Sequence, residues 1–309
     1  MVNIKETSYT GFGKCLVISN AHMEVYVTID LGPRIIKCNL TDRENLMFND
    51  PDRMFNLDVS KAFGNGETWY IYGGHRMWVS PEDDPLSYYP DNNKVTYTQT
   101  ADNSVLFRPA PQKVNDVLHE IEIIMDADKP KMDVIHKLTN LSDNVITGAI
   151  WALSVMDKTG VAIVPQPKED TVLLGNRVLA LWPYTDMSDK RIFWGDKYIA
   201  LKQIPGFEKK FKLGINNTAG WVAYINHGYA LVKTYSPNHP DGRYPDFGVS
   251  TEIFTNQFFL EAETLSELHD IQPNEMISHV ETWTLVDNVE KPIFDNKSIE
   301  AAAETLCFN

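Results

Sequence analysis

The chain has 309 residues, is 43% hydrophobic and carries a formal net charge of −14. It is long enough to bury a sizeable core, and no stretch rich in Gly, Ser or Pro divides it, so residues 1–309 are read as a single domain. The acidity is read as solubility and disfavours a nucleic-acid partner, since no Lys/Arg cluster concentrates positive charge.

Three cysteines, Cys15, Cys38 and Cys307, form no C-x-x-C pair, and their odd number argues against a disulfide framework. Residues 1–10 lack the apolar run of a signal peptide, and no apolar stretch approaches the length that spans a bilayer. A cytoplasmic protein without membrane contact is expected. Neutral polyols such as sugars remain open as ligands, because they are indifferent to net charge.

The first clear element is Met23–Asp30. Met23, Val25, Val27 and Ile29 alternate with Glu24, Tyr26, Thr28 and Asp30, the period of a half-buried strand. Gly32-Pro33 breaks it and Arg34–Leu40 resumes. Similar runs follow at 104–107, 117–125, 131–138, 145–155, 197–203, 220–225, 229–234, 249–254, 258–265 and 276–286, with turn signals between them. Helical signal is confined to the tail, where Asn296 or Ser298 would cap 299–306. Many strands with few crossover helices predict packed antiparallel sheets.

The common chemical signatures are missing. There is no phosphate loop, no dinucleotide fingerprint and no G-x-S-x-G elbow, and His119-Glu120 lacks the second histidine of a zinc protease motif.

Two segments read unlike ordinary strands. In Tyr70–Glu82, Gly73-Gly74 permits a sharp turn or close approach, and His75, Arg76, Trp78 and Glu82 follow. An aromatic beside a histidine and a carboxylate suits a sugar, whose ring has an apolar face and a hydroxyl rim. The alternative is a buried Trp with satisfied polar neighbours. In Phe258–Leu265, Glu261 and Glu263 share one strand face within an apolar run. Lining a cleft, their repulsion and desolvation would raise one pKa towards a general base; the alternative is a solvated face.

The loop Asp241–Gly248 contributes Asp246 as a weaker binding candidate. Trp151, Trp182, Trp194 and Trp221 are read as packing residues. His227 and His239 sit in loops without evident partners, and His279, Glu281 and Trp283 read as a ladder on one strand face, at the surface.

Residues 73–82, Gly-Gly-His-Arg-Met-Trp-Val-Ser-Pro-Glu, resemble a pattern in uncharacterised members of the galactose mutarotase-like superfamily. Asn140-Leu-Ser with Ile150–Met156 resembles its central strands. Phe259-Leu-Glu-Ala-Glu with 272–285 resembles its C-terminal hairpin.

The resemblance implies an all-β supersandwich of two large curved antiparallel sheets with a sugar cleft on a concave face. It implies an aldose 1-epimerase type of acid–base chemistry without cofactor or metal. Glu261 would be the base and His75 the acid, with Arg76, Trp78, Glu82, Glu263 and Asp246 binding the sugar. The second histidine of the epimerases has no counterpart, since Asn140-Leu-Ser-Asp-Asn leads to Thr147-Gly-Ala-Ile-Trp151. A non-catalytic carbohydrate-binding or sensing module on the same scaffold is the alternative expectation.

Overall fold

The computed structural model describes residues 1–64 and 66–306; Cys307 lies outside them. Two antiparallel sheets face each other. The front sheet runs in the order Asn3–Tyr9, Gly13–Ser19, Met23–Thr28, Ile35–Leu40, Gly74–Ser80, Ile146–Met156, Leu260–Leu265, Thr251–Thr255, Phe211–Ile215, Leu179–Leu181, and His269–Ile271 pairs with the start of Ile146–Met156. The back sheet runs Ile192–Trp194, Tyr198–Lys202, Val161–Pro165, Trp221–Asn226, Tyr229–Thr234, Met276–Asp287, Lys131–Asn140, Val117–Met125, Ser104–Arg108, Thr96–Ala101. Among the described residues, no helix is long and apolar enough to cross a membrane.

Alternation builds the space between the sheets. Met23, Val25 and Val27 are fully buried while Glu24 and Tyr26 are only half-buried, as the sequence predicts. Across the sandwich they join Val105, Phe107, Ile123 and Val134 of the back sheet in one apolar core.

The two segments singled out in the sequence both supply strands: Gly74–Ser80 and Leu260–Leu265 flank the central strand Ile146–Met156. Gly73 and Gly74 both have positive φ, and a Cβ on either would strike the backbone of Phe48 or Ile35. The glycine pair therefore serves a tight backbone crossing at the entrance to its strand.

The tail helix spans Asn296–Leu306 and lays Ile299, Ala303 and Leu306 on the outer face of the back sheet, against Val161, Ile163, Ala223 and Ile225. Its cap is neither Asn296 nor Ser298. Asp295 accepts from the Ser298 N–H at 2.7 Å, while the Ser298 hydroxyl accepts from the Ile293 N–H at 3.0 Å.

A polar network lies between the sheets, on the strand faces opposite the cleft described below. His75 of Gly74–Ser80, His136 of Lys131–Asn140, and His279, Glu281 and Trp283 of Met276–Asp287 are all buried. The ladder expected at the surface is thus interior, because Met276–Asp287 is central in its sheet and turns residues 277, 279, 281, 283 and 285 inward.

Hydrogen-bond logic fixes every proton in this network. His136 Nδ1–H donates to the His279 carbonyl at 3.0 Å, so its Nε2 accepts from His75 Nε2–H at 2.7 Å. His75 Nδ1 then accepts from the Ser154 hydroxyl at 2.8 Å. Thr264 gives its proton to Glu281 at 2.6 Å and accepts from His279 Nε2–H at 2.7 Å. Glu281 also accepts from Trp283 Nε1 at 2.7 Å and pairs with Lys233 at 2.8 Å. Burial and neighbouring cations hold all three histidines below their ordinary range, His279 at about 3. For Glu281, burial works against the charge, but Lys233 and the surrounding groups together outweigh it, and its pKa is lowered.

Replacing Lys233 by Met leaves Glu281 buried without its cation and is expected to cost about 3–5 kcal/mol in urea unfolding, with partial recovery on adding Glu281→Gln. Asp295→Ala is expected to cost about 1 kcal/mol, read as a lowered thermal midpoint.

Candidate functional site

The outer face of the front sheet carries a cleft of about 610 Å³. Its floor follows from strand register. Trp78 pairs with Trp151, and Arg76 with Leu153, which in turn pairs with Glu263. Glu263 pairs with Glu252, and Phe254 lies between Glu261 and Lys212. Alternation on five neighbouring strands thus brings Arg76, Trp78, Trp151, Glu261, Glu263, Glu252 and Lys212 to one face. The short strand Thr68–Tyr70 adds Trp69, the 3-10 turn Leu86–Tyr88 adds Tyr88, and a loop adds Trp182 and Tyr184 as walls.

Two cations are held against indoles. The Arg76 guanidinium carbon lies 4.4 Å from the Trp78 ring centre and 5.6 Å from that of Trp69. Lys212 Nζ lies 4.6 Å from Trp151 and 4.7 Å from Trp182.

The carboxylates are not equivalent. Glu263 accepts from Trp151 Nε1 at 2.7 Å and from Lys212 at 3.3 Å. Glu252 pairs with Lys212 at 2.7 Å. Burial and Glu263 still push Glu252 well above the usual carboxylate range, against the pull of Lys212. Burial also opposes the charge of Lys212, but Glu252 and Glu263 outweigh it and its pKa is raised.

Glu261 has a looser environment: its nearest cation is Arg76, at 4.0 Å. Burial first, then the charge of Glu263, push it up to about 7, with Arg76 and Lys212 opposing. Three buried carboxylates face two cations, so the floor favours holding a proton; Glu252 is pushed up strongly, and Glu261, at about 7, is the group whose titration falls near neutrality.

Of the sequence candidates, the cleft gathers Arg76, Trp78, Glu82 and Glu261. Glu263 lies beneath them, at the Lys212 end of the floor. Glu82 is at the rim, where it accepts from the Tyr88 hydroxyl at 2.5 Å. Asp246 is not among the cleft-lining residues; it sits in the loop before Thr251–Thr255, and its charge acts on Glu252.

His75 is not brought together with Glu261. It neighbours Arg76 on one strand, so its side chain leaves by the opposite face, into the network between the sheets. Among the described residues, no histidine lines the cleft. Trp151 and Trp182, read as packing residues, are cleft walls, whereas Trp221 packs beneath the tail helix. His227 does have partners, Glu44 at 2.7 Å and Asp157 at 3.3 Å.

Sequence reasoning missed Lys212, Glu252, Trp69 and Tyr184. The signal for the first two was a lone charge inside an apolar strand, Phe211–Ile215 and Thr251–Thr255, but only pairing shows that both face Glu263. His75, His136 and Glu281 present ligand-type atoms within 4.8 Å of one another. Those atoms are committed to each other, to Lys233 and to Trp283, which leaves no free donor set for a metal ion.

No protein-family model matches the chain, and no curated protein matches it by sequence. Solved structures do match. A TPR-domain-containing protein from Parabacteroides distasonis aligns at TM-score 0.61 and 9% identity, over 88% of this chain but only 47% of the other. The chain thus spans about half the length of that protein. A proposed aldose 1-epimerase from Klebsiella pneumoniae subsp. pneumoniae aligns at TM-score 0.58 and 13% identity, over 98% of this chain and 86% of the other. A galactose mutarotase-like protein from Clostridium acetobutylicum aligns at TM-score 0.54 and 11% identity, over 93% of this chain and 99% of the other. At these identities the likeness is one of architecture. The chain has the galactose mutarotase-like fold, an all-β supersandwich, in a divergent form.

Proposed function

We propose that the chain binds a sugar in the cleft and interconverts its anomers by acid–base chemistry, as an aldose 1-epimerase does. The observation that carries this reading is Glu261, a carboxylate in an aromatic-walled cleft with its pKa moved to about 7. The indoles offer flat faces to the apolar side of a pyranose, and Arg76 and Glu82 offer polar groups to its hydroxyls.

In this reading Glu261 removes the proton from the anomeric hydroxyl. The bond between the anomeric carbon and the ring oxygen breaks, its electron pair stays on the oxygen, and an aldehyde forms. Arg76 stabilises the charge growing on the ring oxygen, which takes its proton from water at the cleft mouth. The aldehyde rotates, and closure in reverse gives the other anomer. Burial and the charge of Glu263 let Glu261 bind its proton near neutral pH, against the pull of Arg76 and Lys212. The cytoplasm and a one-domain chain over residues 1–309 are part of the same proposal.

A second reading, a non-catalytic sugar-binding module, is favoured by one observation: none of the cleft-lining residues is a histidine. Anomer exchange followed by NMR or polarimetry over a panel of aldoses separates the two. Catalysis above the uncatalysed rate supports the first; binding without turnover supports the second.

Glu261→Gln is expected to lower kcat by at least about a hundredfold while sugar binding persists. Because Glu261 acts as a base, kcat is expected to rise with pH through about 7 and level off above it. A flat profile in that range would count against Glu261 as the base.

A further inference from the structure

Ile35–Leu40 and Gly74–Ser80 are neighbours in the front sheet, yet their ladder consists of the single pair Ile35–His75. Beyond it the edge of residues 76–78 is unpaired by Ile35–Leu40. The loop carrying Asp91 ties down elsewhere, Gly32 N–H donating to the Asp91 carbonyl at 2.8 Å. Where the strands part lies a small chamber of about 60 Å³, ringed by Arg76, Trp78, Asp91, Asn93, Gln112 and His119. Arg76 and Trp78 also line the cleft, so the chamber lies behind its wall.

The polar groups around this chamber are unbalanced. Asn115 Nδ2–H donates to Gln112 Oε1 at 3.2 Å, which turns the Gln112 amide N–H towards His119 Nδ1 at 3.3 Å. His119 Nδ1 is therefore the acceptor and Nε2 carries the proton. That Nε2–H is buried and finds no acceptor among the described residues. Arg76, 4% exposed, likewise has Nε and Nη1 buried without an acceptor.

Asp91 does not answer this need. Its carboxylate is taken by Arg34 at 2.8 Å. Glu261, the nearest carboxylate to Arg76, stands at 4.0 Å, beyond hydrogen-bond distance. With Arg34 and Asp91 paired, the chamber keeps buried donors from both sheets that lack acceptors, and the Arg76 charge is met only by Glu261, beyond hydrogen-bond distance. A buried guanidinium in that condition is stabilised by an anion. The volume suits a group of a few heavy atoms, a carboxylate rather than a second sugar ring.

We propose that this chamber is a carboxylate subsite behind the cleft, built by Arg76 and His119, and that the chain prefers sugars bearing a carboxylate over neutral ones. The preference for a sugar rests on the reading of the cleft given above; the anion site does not. His119 acts here as a specificity-determining residue, donating Nε2–H to the carboxylate while Arg76 supplies charge.

The test is calorimetric titration of the full chain with glucuronate, its uncharged methyl ester, glucose and acetate. Glucuronate is expected to bind at least about tenfold more tightly than its methyl ester or glucose. His119→Phe is expected to remove that advantage and leave glucose binding unchanged, which also reports that the variant is folded, and His119→Gln, which keeps an N–H donor, to restore part of it. Equal affinity for acid and ester overturns the subsite, with no variant needed, as does an advantage that survives His119→Phe. Acetate binding that is lost in His119→Phe, with no binding of any sugar, supports an anion site while removing the sugar reading. Anomer exchange of glucose without preference for glucuronate supports the sugar reading and removes the subsite.

Discussion

The Lys233–Glu281 ion pair lies between two sheets and ties them together. Glu281 belongs to the back sheet and accepts from Thr264 of the front sheet, while Lys233 of the back sheet donates to the Ala262 carbonyl at 3.1 Å. Ala262 stands between Glu261 and Glu263. The strand that presents the cleft carboxylates is therefore gripped from behind at 262 and 264, through its backbone and through its inward-facing side chains. Ions so fully buried are tolerated only when hydrogen bonds complete them, and here Trp283, Thr264 and the Ala262 carbonyl do so. A cleft floor fixed in this way can keep Glu261 in one place without using any atom of Glu261 to do it.

The cleft arranges its own charges by the same economy of partners. Lys212 occupies Glu252 and Glu263, and the Trp151 indole adds a second donor to Glu263. Glu261 is left with the more distant Arg76. One carboxylate thus lacks a close partner while Glu263 is held by two donors, and burial, with repulsion from Glu263, moves its titration towards neutrality. The same distance leaves guanidinium N–H groups of Arg76 without acceptors, so a single loose pair prepares both the base and the donor that seeks an anion.

Much of the architecture is legible in the chain because alternation is. Met23–Thr28 and Ile146–Met156 fall close to their predicted limits, and the prediction of packed antiparallel sheets from strands and turns is met. Short strands such as Asn56–Asp58, Leu179–Leu181 and Ile192–Trp194 carry too few residues for a period to show. The site was legible in part. Glu261 and Arg76 stood out as charges in apolar surroundings, but His75 was grouped with Arg76 by proximity in sequence, and adjacent residues on a strand leave by opposite faces. Lys212 and Glu252 became meaningful only through the pairing of Phe211–Ile215 with Thr251–Thr255 and of that strand with Leu260–Leu265. Register across three strands is long-range information, which local patterning does not carry.

The three interior histidines have a further consequence. Each ring is locked into one tautomer by a carbonyl, a hydroxyl or another ring, and burial pushes each towards its neutral form. The middle of the sandwich is thus rich in polar atoms yet biased against taking up protons. One layer of backbone away, Glu261 is tuned to titrate near neutrality. The front sheet acts as an insulating partition between a silent interior and a responsive surface, so the fold can hold its shape constant while the cleft alone registers the proton.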